Sequence, residues 1–235
     1  MLKLVISAVL VVAVSAVLIT LSSNSVNSKI QELEKSKDRG KLSWYAARAK
    51  AKGQTEARVA APIIEYAVPK DLDEALAYYS LVMVEPVEKK SYSADNIIVS
   101  WYKFRLIEVL STATTICTTC PDITPGPADM LPLNSDEFLA STAEGEIELD
   151  SVKLIGVDRD QPGFEKGKRY LIFLAFDATR TAAALRMGPS GTFELDDLDQ
   201  LKAVNKEYKH PVIDELTGGA DRSLNKLRKR LKTGK

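Results

Sequence analysis

Gly163-Phe164-Glu165-Lys166-Gly167-Lys168-Arg169-Tyr170-Leu171-Ile172-Phe173-Leu174-Ala175-Phe176 is the stretch whose reading decides the fold. It combines a tight glycine turn with a strand. Tyr170, Ile172, Leu174 and Phe176 fall on one side, Leu171, Phe173 and Ala175 on the other. A strand apolar on both faces is covered on both faces, so it is expected at the centre of a sheet. The run Asn96 to Leu110, which holds Trp101, Tyr102 and Phe104, is its expected partner. In that run Ile98, Tyr102, Phe104, Leu106 and Leu110 share one face. Ile97, Val99, Trp101, Lys103, Arg105, Ile107 and Val109 share the other, apolar at both ends and basic in the middle. A strand of this length is expected to bend across two layers or around a barrel.

Working outward, further strand patterns lie at Tyr78–Val84, Glu146–Asp150, Val152–Val157, Ala182–Met187 and Thr192–Leu195. Pro86 removes a ladder donor and predicts an edge or a bulge. Asp150-Ser151 and Pro189-Ser190-Gly191 supply turns. Some seven short strands with turn signals between them predict an antiparallel barrel or sandwich. Helices are expected around it. Lys29–Lys52 has helical periodicity broken at Gly40, and Thr55–Ala67 gives a second apolar-periodic run with Pro62 inside it. Asp71 with Glu74 has the spacing of a helix cap. Asp136–Ala140 predicts one helical turn and Asp196–Asp199 a helix start. Asp221–Lys235 predicts a basic helix with Leu224, Leu227 and Leu231 on one side. Such a helix either docks its leucines on the domain or lies on anionic lipid. The fold class is therefore α+β and mainly β.

The N-terminus addresses the chain to a membrane. Leu4–Leu21 contains no charged residue, a length on the border between a spanning anchor and a signal peptide cleaved near Val14-Ser15-Ala16. The expected organisation is an anchor or signal peptide over 1–22, a helical stalk or packing helices over 23–76, a β domain over 77–200 and a basic tail over 201–235. The domain then stands in the cell envelope, outside the cytoplasm, either tethered or released.

Composition excludes several chemistries. Lys and Arg number 32, as do Asp and Glu, so the net charge is zero. A nucleic-acid binder ordinarily carries a basic excess, and none is expected as a partner. His210 is the one histidine. A His-rich metal site and the H-E-x-x-H motif are thereby excluded. A Ser or Cys triad would have to recruit His210, which in Lys209-His210-Pro211 has the context of a surface or capping residue. The scattered glycines form no phosphate-cradling loop. Asp158, Asp160 and Glu165 lack the alternating ligands of a calcium loop. No cofactor is implied.

Cys117-Thr118-Thr119-Cys120-Pro121 lies in an irregular, Thr- and Pro-rich segment, Ser111–Asn134. In an oxidising compartment the two cysteines are expected to form a small disulfide. Thiol oxidoreductases need a helix after C-x-x-C, and Pro121, Pro125 and Pro127 deny one here. The Ile97–Leu110 and Phe164–Leu174 segments resemble exported bacterial proteins whose core is similar to an OB-like barrel, distantly of the netrin/metalloproteinase-inhibitor type. The resemblance covers Tyr78 to Leu195 and implies a fold and an exported binding role. It carries over no active-site residue, because the inhibitors present an N-terminal cysteine to a protease metal and this chain has none there. The expected function is non-enzymatic binding of a protein, an envelope polymer or a lipid surface, through a face near Trp101, Lys103 and Arg105. The alternative is a thiol oxidoreductase at Cys117/Cys120, or a serine–lysine hydrolase drawing on Ser91, Ser100 or Ser190.

Overall fold

The computed structural model describes residues 27–61, 69–94, 96–114, 123, 125–158, 161, 163–176, 181–218 and 222–233. The expected anchor at Leu4–Leu21 lies outside these, as do Cys117 and Cys120. Among the described residues no helix is long and apolar enough to cross a membrane. The chain divides into two compact units. One takes the N-terminal segment through Val59 together with Ile147–Ile155; the other takes Ala60–Glu146 and Gly156–Lys235.

The first unit contains helix α1 (residues 27–34) and helix α2 (Leu42–Ala51). Trp44 ties the two together: its indole N–H donates to the Leu33 carbonyl at 2.7 Å. Arg48 reaches back to Glu34 at 2.8 Å and lies over the Trp44 ring. The break foreseen at Gly40 is present, with φ of +91°. Strands β1 (Glu56–Ala60), β5 (Gly145–Leu149) and β6 (Val152–Val157) form a sheet in the order β1-β6-β5. Asp150 and Ser151 both take left-handed backbone, which makes the two-residue turn between β5 and β6. The stretch expected as helix from Thr55 is thus a strand over its described part. Short mixed segments are read wrongly when their pairing partner is about a hundred residues away.

The second unit is built on a seven-stranded antiparallel sheet. Its strands are β2 (Ser80–Ala94), β3 (Ile97–Ser111), β4 (Glu137–Thr142), β7 (Arg169–Phe176), β8 (Ala183–Leu185), β9 (Thr192–Leu195) and β10 (Leu201–Ala203). The order is β10-β9-β7-β2-β3-β4, with β8 pairing the end of β7. Strand β7 is central as its two-sided pattern predicts. Tyr170, Ile172 and Leu174 enter one core and Leu171 and Phe173 the other. Its neighbour, however, is β2 and not the aromatic run: β2 stands between β7 and β3. The ladder between β2 and β3 slips at Pro86/Glu88, the bulge that Pro86 demands.

The sheet curls around an inner core of Val82, Val84, Tyr102, Phe104, Phe138, Phe164, Tyr170, Ile172 and Leu174. It does not close into a continuous barrel: β4 meets β8 through a single parallel bridge, Leu139–Ala182. The second core lies on the back of β2, β7, β9 and β10. It is covered by helices α3 (Leu72–Tyr78), α4 (Pro211–Thr217) and α5 (Leu224–Thr233). Asp71 caps α3 by accepting the Glu74 N–H at 2.8 Å, while Glu74 accepts from Lys70 at 2.7 Å. Leu224 and Leu227 of α5 dock into this core. Two short helical expectations fail. Asp136–Ala140 contributes to β4, where Phe138 and Leu139 alternate across a sheet. Asp196 instead accepts the N–H groups of Leu198 and Gln200, turning the chain into β10.

Inside the inner core Phe104 stacks on Phe138 (ring centroids 5.5 Å apart) and receives the edge of Phe164 at 4.9 Å. Truncating such a ring removes transfer energy and leaves a cavity. Phe104→Ala is expected to lower the unfolding free energy by about 3–5 kcal/mol in urea titrations. A loss below ~1 kcal/mol would show that this layer is not the core.

Candidate functional site

Alternation along β3 sends Tyr102 and Phe104 inward and Trp101, Lys103 and Arg105 outward, so the three expected binding residues share one outer face. Beyond Arg105 the ladder slips, pairing Met83 with Glu108 and Val82 with Val109, so strict alternation ends; Ile107 at the slip and Val109 are 42% and 48% exposed. Each cation meets an acid from β2 directly across the ladder. Lys103 pairs with Glu88 at 3.3 Å and Arg105 with Glu85. Lys90, opposite Trp101, bridges to Glu88 at 3.5 Å and to Asp129 at 3.2 Å. The Tyr92 hydroxyl also donates to Asp129, at 2.8 Å. Burial, and then the neighbouring Asp129 carboxylate, push that phenol up to about 12. The segment around Asp129 is pinned on this side of the sheet, with Met130 buried. The face is therefore a stripe headed by Trp101 and flanked by neutralised charge pairs, with Ile107 exposed beyond it.

On the opposite side of β3 a polar cluster closes one end of the inner core. The Tyr102 hydroxyl donates to Glu144 Oε1 and accepts the Phe164 N–H at 3.2 Å. Thr142 Oγ1 donates to the same carboxylate oxygen at 3.2 Å, and Lys89 Nζ holds the other oxygen at 2.8 Å. The Lys89 ammonium also sits 5.2 Å from the centre of the Tyr102 ring. Gly163 makes the cluster possible: a Cβ there would lie 2.7 Å from the Tyr102 hydroxyl and 2.9 Å from Glu144 Oε1. Burial, reinforced by the Glu144 carboxylate, raises the Tyr102 phenol well above its ordinary range. The cluster is built to hold a proton, with each polar group satisfied. Sequence reading missed it because Glu144 comes 42 residues after Tyr102. The glycine before Phe164 was the only local signal.

The other sequence candidates are dispersed. Ser91 and Ser100 face each other across β2 and β3 at 2.8 Å, and Ser91 also accepts the Glu146 N–H at 3.3 Å. Ser190 is buried and donates to the Met187 carbonyl at 2.6 Å. Asp158 accepts the Gln161 N–H, and Glu165 pairs with Lys168; Asp160 lies outside the described residues. Among those described, no group of three or more His, Cys, Asp or Glu side chains converges as metal ligands would. His210 is the N-cap of α4, its Nδ1 accepting the Val212 N–H at 3.2 Å. No protein-family model matches the chain, and no match was found among curated proteins or solved structures.

Two pH dependences follow. Burial lowers the His210 pKa, opposed by a backbone hydrogen bond with Pro69. A depressed folded value places the stability above the unfolded pKa of about 6.5 and removes it as pH falls through the folded one. The imidazole resonance is expected to titrate below the ordinary histidine range. The acid-side loss of stability should disappear in His210→Asn, which keeps a cap. For Tyr102 the sign reverses. Its raised folded pKa makes stability fall as pH climbs above about 10, where an unfolded tyrosine ionises. Tyr102→Phe is expected to make that alkaline slope shallower, with Tyr79, Tyr92 and Tyr170, also raised, supplying the remainder. An unchanged slope in unfolding titrations from pH ~9 to ~11 would refute it.

Proposed function

We propose that this chain is a non-enzymatic binding domain, exported and held at a membrane by residues 4–21, that offers the outer face of β2, β3 and β4 to a protein partner. One observation carries the reading. Over Ile98–Phe104 the inner side of β3 is committed to the core while Trp101 stays partly accessible on the outer side, between charge pairs that cancel, and Ile107 is exposed just beyond them. A buried aromatic anchor within a neutralised polar rim is the anatomy of a protein interface. A polyanionic ligand would require uncompensated cations, and Lys103 and Arg105 are already engaged. The exposed branched side chain of Ile107 adds apolar area of the kind protein partners use and no hydrogen bonds for a saccharide.

The OB-like reading is the finer proposal about the fold. Strands β2, β3 and β4 follow one another antiparallel, β7 returns to the free edge of β2, and β8 leaves β7 to touch β4 in parallel. That path is the one a five-stranded, partly open Greek-key barrel takes, and the sheet region formed by its second and third strands is the usual ligand platform. Here those strands would be β3 and β4, of which β3 carries Trp101, Lys103 and Arg105.

A photo-activated cross-linker placed at Ile107 in the full chain, in native membranes, tests the proposal. It is expected to capture a protein partner. Trp101→Ala and Arg105→Ala should each weaken that capture by about tenfold or more, as truncation of an interface anchor does. Both variants should unfold within ~1 kcal/mol of the parent, since surface substitutions away from the core cost little. Undiminished capture in both variants, or cross-links only to an envelope polymer, would overturn it.

A further inference from the structure

About half of the described cations of the second unit are paired with an acid. Lys89, Lys90, Lys103, Arg105, Lys168, Arg169, Arg228 and Arg230 each have an acid within 4 Å. Among the described cations that have no acid within 4 Å, three gather in one place. Lys206, Lys209 and Arg222 have no acidic partner among the described residues and line a single cavity of about 580 Å³ beside β10 and α4. Lys202 joins them on the rim, with its ammonium 3.2 Å from Asp196. Ile213 and Ala203 form the apolar part of the wall, together with the half-buried Tyr208. Among the described lining residues the one acid is Asp214. Arg222 also lines an adjoining groove of about 200 Å³ that runs to Lys226 and Arg230.

The charge has a sequence origin. Residues 201–235 hold ten Lys or Arg against four Asp or Glu, while the whole chain is neutral. Three cations that converge on a concave wall without acidic partners among the described residues maintain a local repulsion. A concave surface of one sign concentrates the field and raises the local concentration of counter-ions. An anion bridging three such groups gains charge-assisted hydrogen bonds from each, and a phosphate has the oxygens to accept them all.

We propose that this cavity is an anion site for a phosphate-bearing ligand, held by Lys206, Lys209 and Arg222 and seated against Tyr208. The shared chemistry is a phosphate group, carried either by a soluble phosphate compound or by the headgroup of an anionic lipid. The site is separate from the outer stripe of β3, so either can fail without the other.

Inorganic pyrophosphate is the probe, titrated calorimetrically into the full chain held in phosphatidylcholine nanodiscs. Saturable binding that weakens as salt rises is expected. The triple variant Lys206→Glu, Lys209→Glu, Arg222→Glu should lose about tenfold or more of the affinity. A control triple, Lys50→Glu, Lys52→Glu, Lys166→Glu, makes the same change in net charge at exposed positions elsewhere and should keep it. Replacing part of the lipid with phosphatidylglycerol identifies the source: a weaker apparent pyrophosphate affinity means the headgroup occupies the cavity, an unchanged one means the ligand is soluble. No binding by the parent protein, or equal losses in both triples, would overturn the site. Because all three rim residues are exposed, an unfolding transition matching the parent's is expected of the variant. Should it unfold, Arg222→Gln alone must still weaken binding, or the proposal fails.

Discussion

The second unit depends on Phe164 entering the curled sheet edge-first. Its ring stands at 78° to Tyr102, 89° to Phe104 and 85° to Tyr170, with centroids 4.9 to 5.2 Å away. Edge-to-face contacts of this kind add to the area that the rings bury. The entry is possible because the backbone just before it can press against a hydroxyl and a carboxylate, which Gly163 alone permits. The Phe164 N–H then becomes a donor to Tyr102, so the plug is fixed by one hydrogen bond as well as by three rings. A half-closed sheet needs such a plug. Among the described residues a single parallel bridge, Leu139–Ala182, joins the β4 side to the β8 side, and Phe164 packs against the rings of Tyr102, Phe104 and Tyr170 within that curl.

Much of this was legible locally. The two-sided apolarity of Tyr170–Phe176 implied a central strand, and the Gly167 turn with φ of +83° delivered the chain into it. Asp71 with Glu74, and Asp150-Ser151, act through neighbours three residues away or fewer, so the sequence contains all their partners. What escaped was non-local. Nothing in Tyr78–Ala94 says that it separates β7 from β3, because pairing is chosen by faces that meet after collapse. The same holds for the acids of the outer face. Lys103 and Arg105 stood out as a basic patch in one dimension, and only the ladder register brings Glu88 and Glu85 opposite them.

That neutralisation changes what the two charged regions of the unit can do. On the outer face each cation is paired across strands, at exposures where an ion pair contributes about 0–1 kcal/mol. The pairs there mainly fix side-chain positions and leave no net field. In the cavity beside β10 the cations have no described partner, so their field extends outward. Sequence composition cannot separate these cases, since total charge is zero in either arrangement. The distinction lies in geometry: a β-ladder places opposite signs face to face, whereas the turn at Lys206–Lys209 and the lead into α5 have no facing strand to supply acids.

The inner and outer faces of β3 are not independent. Trp101 is bonded through the chain to Ser100 and Tyr102, both fully buried, and both are held by side-chain hydrogen bonds. Their neighbours on β2, Ser91 and Lys89, are the partners in those bonds or in the network around them. The backbone beneath the outer stripe is therefore clamped at successive residues. Clamping lowers the conformational entropy that this segment has left to lose in any association. The buried proton of Tyr102 contributes to that rigidity, because an ionised phenol facing Glu144 would set two like charges against each other beneath Trp101.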